Sequence, residues 1–233
     1  MRQSFLLVII GLCICSWLFA GCASSRFIKP LDNKQTAITA SIGGPFVQYS
    51  GMGIPVPLTS VAVGHGFTKD LTCFAGLHTT ALLFGVVQTD IGAVKELMKQ
   101  KSFRPGVSVS PVANLMLDKW EHKFSFFPQI DAHAYWNYLK KPHYAYVGFS
   151  NWFDLHSKLS NGEPQTYHWM PVIELGNTFV HHKWSYAVEL KYIAFNKRNI
   201  SIVNYTGIGN PDNSTGIGQR GALGIYFGVT RTL

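Results

Sequence analysis

The stretch Gln129-Ile130-Asp131-Ala132-His133-Ala134-Tyr135-Trp136-Asn137-Tyr138 puts Gln129, Asp131, His133 and Asn137 on one parity and Ile130, Ala132, Ala134, Trp136 and Tyr138 on the other. A repeat of two is the period of a β-strand, whose successive side chains leave opposite faces. One face therefore carries a carboxylate, an imidazole and two amides. The other is apolar and ends in Trp136 and Tyr138, residue types that favour a lipid–water boundary. In a soluble sandwich the polar face would meet bulk water; in a membrane barrel it lines the lumen.

Nine further segments repeat the pattern. They are Thr36–Gly43, Leu58–Phe67, Leu71–Thr79, Phe84–Val94, Pro105–Leu117, Tyr144–His156, Tyr167–His181, the run from Trp184 through Tyr192, and Gly221–Leu233. The Trp184 run is the cleanest, with Trp184, Tyr186, Val188 and Leu190 alternating with Ser185, Glu189 and Lys191. Residues 44–57 carry Pro45, Pro55 and Pro57 with Gly51 and Gly53, and read as an irregular loop. Thr79–Leu83 reads as a connection, and the good helix formers of residues 93–101 predict a helical turn closing the fourth strand. Ile200–Val203 reads as a short rim strand.

The connections after the second, fourth, sixth and eighth strands are short or fairly short, and the others are mostly longer. With this topology Trp136, Tyr138, Tyr144, Tyr146, Trp184 and Tyr186 gather near one end, and Trp120, Trp152, Trp169, Tyr192 and Phe195 near the other. Two aromatic belts separated by aliphatic residues suit the two interfaces of a bilayer. Lys69, Lys140, Lys141 and Lys183 fall on the short turns, within reach of phospholipid phosphates. A soluble sandwich or lipocalin-like barrel would also alternate and would also have uneven loops, so that reading stays open.

On these features the chain resembles the broad class of small bacterial outer-membrane β-barrel proteins. The resemblance implies an all-β, antiparallel, up-and-down transmembrane barrel of about ten strands, held at residues 35–233 as one domain. Its outer-membrane partners would be lipids and, during biogenesis, the barrel-assembly machinery, whose signal the strand Gly221–Leu233 resembles. The oligomeric state is not set by the sequence.

The N-terminus shows Met1-Arg2, an apolar run from Phe5 to Phe19, and Ala20-Gly21-Cys22, the order of a secretory signal. Phe19-Ala20-Gly21-Cys22 resembles the lipobox of bacterial lipoproteins. That resemblance implies a leader at residues 1–21, lipidation at Cys22, a tether at residues 22–34, and a chain that starts on the periplasmic side of the outer membrane. Cys13 and Cys15 belong to the leader, so Cys73 alone remains beside Cys22 and no internal disulfide forms in the mature chain.

The formal charge of +8 is moderate for 233 residues, and no Lys/Arg cluster alternates with exposed aromatics, so nucleic acid is not a partner. No cofactor motif is present: Gly207-Ile208-Gly209 and Gly216-Ile217-Gly218 lack the following helix of a dinucleotide site. Nor is a metal site expected, because His181-His182 sits in a tight turn without a second ligand pair.

Two groups of residues invite chemistry. Gln88, Asp90, Asp131, His133, Glu174, Glu189 and Lys191 all point inward on the barrel reading. Unpartnered carboxylates there would be costly, so they are expected to pair in a lumen network, with a narrow pore or bound ligand as the alternative. Asp154, His156 and His168 fall at the loop ends of their strands, where a His–carboxylate pair for general-base work is geometrically possible. Omptin-type proteases and lipid A-modifying barrels use such rims, though neither family's motif can be matched residue by residue. Three functions are left to separate: an outer-membrane barrel with a structural, adhesive or small-solute role; a rim hydrolase or lipid-modifying enzyme; and a tethered soluble ligand-binding barrel, which needs an apolar interior.

Overall fold

The computed structural model describes residues 26–49, 52–120, 122–138, 142–158, 164–198, 205–206, 208–211 and 218–233. The strands are β1 (Thr36–Tyr49), β2 (Met52–Pro55), β3 (Leu58–Thr68), β4 (Leu71–His78), β5 (Val86–Met98), β6 (Gly106–Asp118), β7 (Lys123–Asn137), β8 (Tyr144–Phe153), β9 (Trp169–His181), β10 (Trp184–Arg198), β11 (Ile208–Pro211) and β12 (Gly218–Thr232), with a five-residue helix, α1 (Thr79–Leu83), between β4 and β5. Each long strand pairs antiparallel with its neighbour in sequence, and β1 pairs with β12 from Ala37↔Thr232 to Pro45↔Gly224. That last pairing closes a barrel of ten strands, with β2 and β11 as short additions at one rim. Closure removes the open edges that a sheet would otherwise expose. At the seam Gly43 adopts φ 148°, and a Cβ there would run into the backbone of Ile225 and Tyr226.

The two faces divide as the alternation predicts. Asp131, His133, Glu189 and Lys191 are buried inside, whereas Ile130, Trp184, Val188 and Leu190 are exposed outside. Around the wall the outward positions hold Ile38, Val63, Ile91, Leu117, Val147, Ile173, Leu175 and Phe227, all exposed. The charged side chains on outward strand positions, Lys95 and Arg231, lie close to the end where β3 turns into β4 and β9 into β10. There Lys95 pairs with Asp70 and Arg231 covers the Trp184 ring at 5.4 Å. An apolar wall around an interior that holds buried carboxylates, amides and a lysine inverts a soluble barrel and does not match the apolar interior that a tethered soluble ligand-binding barrel needs. We call this end the turn end, and the opposite end the loop end.

Several local expectations are corrected. The Pro- and Gly-rich stretch after Gly43 continues β1 to Tyr49 and returns as β2, because Val47↔Ile54 and Phe46↔Pro55 pair at a rim where proline needs no ladder partner on its outer side. The helix formers after Ala93 stay in β5, which pairs Lys95 with Val109 and Glu96 with Ser108; ladder pairing outweighs propensities of under about 1 kcal/mol per residue. Conversely, Thr79–Leu83 is helical. Tyr144, Tyr146 and Trp152 are not belt residues: they share the inward face of β8 with Ser150, and Tyr146 and Trp152 are buried. Ile200–Val203 and Lys140, Lys141 lie outside the described residues, as does Cys22 with the leader.

Of the segment expected as a tether, the described residues from Arg26 onward line or enter the barrel interior. Lys34, at φ 64°, reverses the chain where its N–H meets the Gly66 carbonyl, and residues before it run back into the lumen. Phe27 packs with Phe74, Ala37, Val94 and Val112, and Ile28 packs with Tyr135 and Tyr146. Gly64 on β3 leaves the space: a Cβ there would lie 2.6 Å from the Phe27 ring.

Candidate functional site

Four strands bring the lumen charges together at mid-height. Glu174 of β9 accepts a hydrogen bond from Lys191 Nζ of β10 at 2.8 Å and one from Ser150 Oγ of β8 at 2.9 Å, and its second oxygen lies 3.0 Å from His133 Nε2 of β7. Lys191 also reaches Glu189 at 3.1 Å, and Glu189 accepts from the Tyr146 hydroxyl at 2.6 Å. Asp131 accepts from the Gln129 amide at 2.8 and 3.0 Å. Each charge is taken from water, and direct charge-assisted hydrogen bonds offset that cost. The network is also shaped by Gly148, where a Cβ would stand 2.5 Å from His133 Cδ2 and 2.8 Å from Glu174 Oε2.

A second cluster sits toward the loop end. Arg26 Nε donates to Asp90 at 2.9 Å, and its other nitrogens reach Ser60 Oγ and His78 Nε2. Lower in the lumen, the Tyr135 hydroxyl donates to Glu96, Ser108 Oγ donates to the Ile28 carbonyl at 2.6 Å, and Lys29 donates to Asn137 at 2.8 Å. The Lys29 ammonium also lies 5.2 Å from the centre of the Tyr135 ring and 5.0 Å from that of Tyr144. The N-terminal segment is thus fastened by both side chain and backbone. Between the two clusters remains a cavity of about 40 Å³, room for a few waters or one ion. At the turn end a vestibule of about 560 Å³ stays open, lined among others by Lys29, Glu96, Tyr135, Tyr144, Tyr226 and Thr230.

Of the residues expected in the lumen, Asp131, His133, Glu174, Glu189 and Lys191 form the central network. Asp90 belongs to the Arg26 cluster, and Gln88 is buried with its Nε2 unpartnered. Arg26, His78 and Glu96 were not expected there. The available signal for Arg26 was the apolar pair Phe27-Ile28 between two cations, an odd composition for a solvated tether.

The rim residues also meet. His156 Nδ1 lies 2.7 Å from Asp154 Oδ1, Gln165 donates to Asp154 Oδ2 at 2.7 Å, and His168 Nδ1 lies 2.8 Å from the Asp154 carbonyl. Burial raises the Asp154 pKa, but the hydrogen bonds from the His156 N–H and ring and from Gln165 outweigh it and hold the carboxyl below its ordinary value. Among the described residues no hydroxyl or thiol is hydrogen-bonded to the His156 ring, so these residues supply a base and an orienting acid and no nucleophile.

No family model matches the chain, and no curated protein matches it. Solved structures similar to it include an outer membrane channel from Pseudomonas putida F1, at 10% identity over 91% of this chain and 100% of that one, with a TM-score of 0.47. The NanC porin is 7% identical over 85% of this chain and 100% of its own, with a TM-score of 0.43. The translocator domain of the autotransporter NalP from Neisseria meningitidis is 8% identical over 99% and 97%, also with a TM-score of 0.43. These neighbours are bacterial outer-membrane β-barrels, whereas the closed barrel of this chain rests on its own strand pairing.

Proposed function

We propose that this chain is a bacterial outer-membrane β-barrel protein, inserted by the barrel-assembly machinery and anchored on the periplasmic side through a lipid on Cys22, with a small-solute role. The observation that carries the reading is the apolar wall, charged only close to the turn end, around a buried polar network. Even strand number and short turns support a turn end on the periplasmic side. The lumen is closed at mid-height by the network and by residues 26–31, so the protein does not act as an open pore. Its vestibule has the volume of a small-molecule site, and its hydroxyls, amides and Lys29 suit a polar solute.

The test is heat-modifiable migration, fractionation with the outer membrane, and current across a planar bilayer holding the full chain. Heat-modifiable, membrane-bound and non-conducting protein is expected. Recovery as a soluble periplasmic protein would sink the membrane reading, and a steady open-pore conductance would sink the closed lumen. The 2.7 Å contact of Asp154 with His156 favours a second reading, a rim hydrolase. In that case His156→Ala abolishes turnover of an ester or peptide substrate while the heat-modifiable fold persists; hydrolysis unaltered by the change would exclude it.

A further inference from the structure

The lumen is filled unevenly. Strands β7, β8, β9, β10 and β12 turn large side chains inward, among them Tyr135, Tyr146, Glu174, Lys191 and Tyr226. In contrast β3 offers only Ser60, Ala62, Gly64 and Gly66, and β6 adds Ser108 and Ser110. Eight strands make a barrel that side chains can fill, so ten leave surplus width. Here the surplus is a groove along β3, and residues 26–31 occupy it. Phe27 fills the space that Gly64 leaves against Phe74. The segment accompanies β3 from Ser60, which Arg26 reaches, to Gly66, where a Cβ would run into the Asp32 carbonyl. That length of strand is roughly 20 Å at about 3.3 Å per residue.

No residue of 26–31 belongs to a strand, so the ladder that closes the barrel is complete without them. Their backbone is held by side chains: Leu31 N–H donates to Thr72 Oγ1 at 2.7 Å, and the Ile28 carbonyl accepts from Ser108 Oγ at 2.6 Å. The backbone first bonds to β3 at Lys34 and Gln35, through the Gly66 carbonyl and N–H, both at 2.8 Å. The fixed point is thus at the turn end, and the latch, Arg26 on Asp90 at 2.9 Å, lies toward the loop end. Arg26 and Phe27 line both the 40 Å³ cavity and the 560 Å³ vestibule, so these two side chains form the partition between them.

We propose that residues 26–31 are the gate of a narrow cation pore: seated, they close the groove, and swung toward the turn end about Lys34 they open it to small hydrated cations. The segment carries two cations, Arg26 and Lys29, and no acid. Its withdrawal leaves the carboxylates of Asp90 and Glu96 on the path without those partners, which favours cations over anions. The hydroxyls of Ser60, Thr72, Ser108 and Ser110 line the vacated groove, where water can bond to them. The inference rests on the membrane-barrel reading and deepens its solute role.

The experiment records current across a planar bilayer holding the full chain, wild type beside the double change Arg26→Ser and Phe27→Ser. Together these remove the latch and the burial of Phe27, the latter alone worth about 10- to 100-fold in the seated fraction. Openings more frequent than in wild type by at least that factor, carrying cations over anions under a salt gradient, are expected, with heat-modifiable migration retained. A folded variant as silent as the wild type, or one that passes anions as readily as cations, overturns the gate and leaves the barrel standing. Loss of heat-modifiable migration in the wild type would instead sink the barrel itself. Should the variant not fold, the wild type decides, because Arg26 and Lys29 move with the gate and each full charge moved across the membrane responds by about 50-fold per 100 mV. Brief openings favoured by the voltage that drives cations toward the turn end support the gate, and silence at both signs overturns it.

Discussion

Replacing Lys191 with Met removes the ammonium that lies 2.8 Å from Glu174 and 3.1 Å from Glu189. At an effective dielectric of about 20, each contact near 3 Å is worth roughly 5–6 kcal/mol before desolvation is counted. Desolvation of the ions cancels most of that, so the intact network adds little net stability. Breaking it is different, because the carboxylates stay buried without their cation, at a cost of about 3–5 kcal/mol. Equilibrium urea unfolding of the barrel in phospholipid vesicles should show that loss for Lys191→Met. Adding Glu174→Gln and Glu189→Gln in the same chain should recover most of it, to within about 1–2 kcal/mol of wild type. A cost below about 1 kcal/mol for the single change would mean a water-filled lumen that screens the pair, and the description of a closed interior would fail.

Other perturbations probe other parts of the account. Val188→Arg, on the exposed apolar wall, should cost about 2–4 kcal/mol in vesicles; a cost near zero would place that face in water. Gly148→Ala should destabilise by about 1–3 kcal/mol, because the new methyl meets His133 and Glu174; an unfolding midpoint equal to wild type would show that the network gives way freely. The Asp154 carboxyl is held below its ordinary value, so its contact with the His156 N–H is fully present above the unfolded pKa and is lost only as pH falls through the lower folded value. Amide exchange at His156 should therefore stay protected below the pH at which an ordinary aspartate protonates, and loss of protection at or above that pH would contradict the geometry.

Much of the barrel was legible because alternation is strict wherever one face meets lipid and the other a polar lumen. The Gln129–Tyr138 and Trp184–Tyr192 runs show this most clearly: a one-residue slip would turn Asp131 or Glu189 outward, so the face of each residue follows from its parity. Parity also held for Trp152, which shares a face with Ser150; judging it by height along the strand alone is what placed it in a belt. The helical turn after Ala93 failed because propensity is a weak preference against a complete ladder. The internal position of Arg26 to Leu31 was not legible, since a short segment without periodicity carries no sign of where it docks. Its receptor, made of Gly64, Phe74, Asp90 and Ser108, comes from four different strands and exists only in the closed barrel.

Spin-label accessibility on β9 and β10 tests the central claim most directly. In a Cys73→Ala background reconstituted in lipid, labels at Ile173, Leu175, Val188 and Leu190 should relax faster with oxygen than with a water-soluble reagent, the signature of hydrocarbon contact. Labels at these outward positions that respond chiefly to the water-soluble reagent would contradict a membrane-spanning barrel.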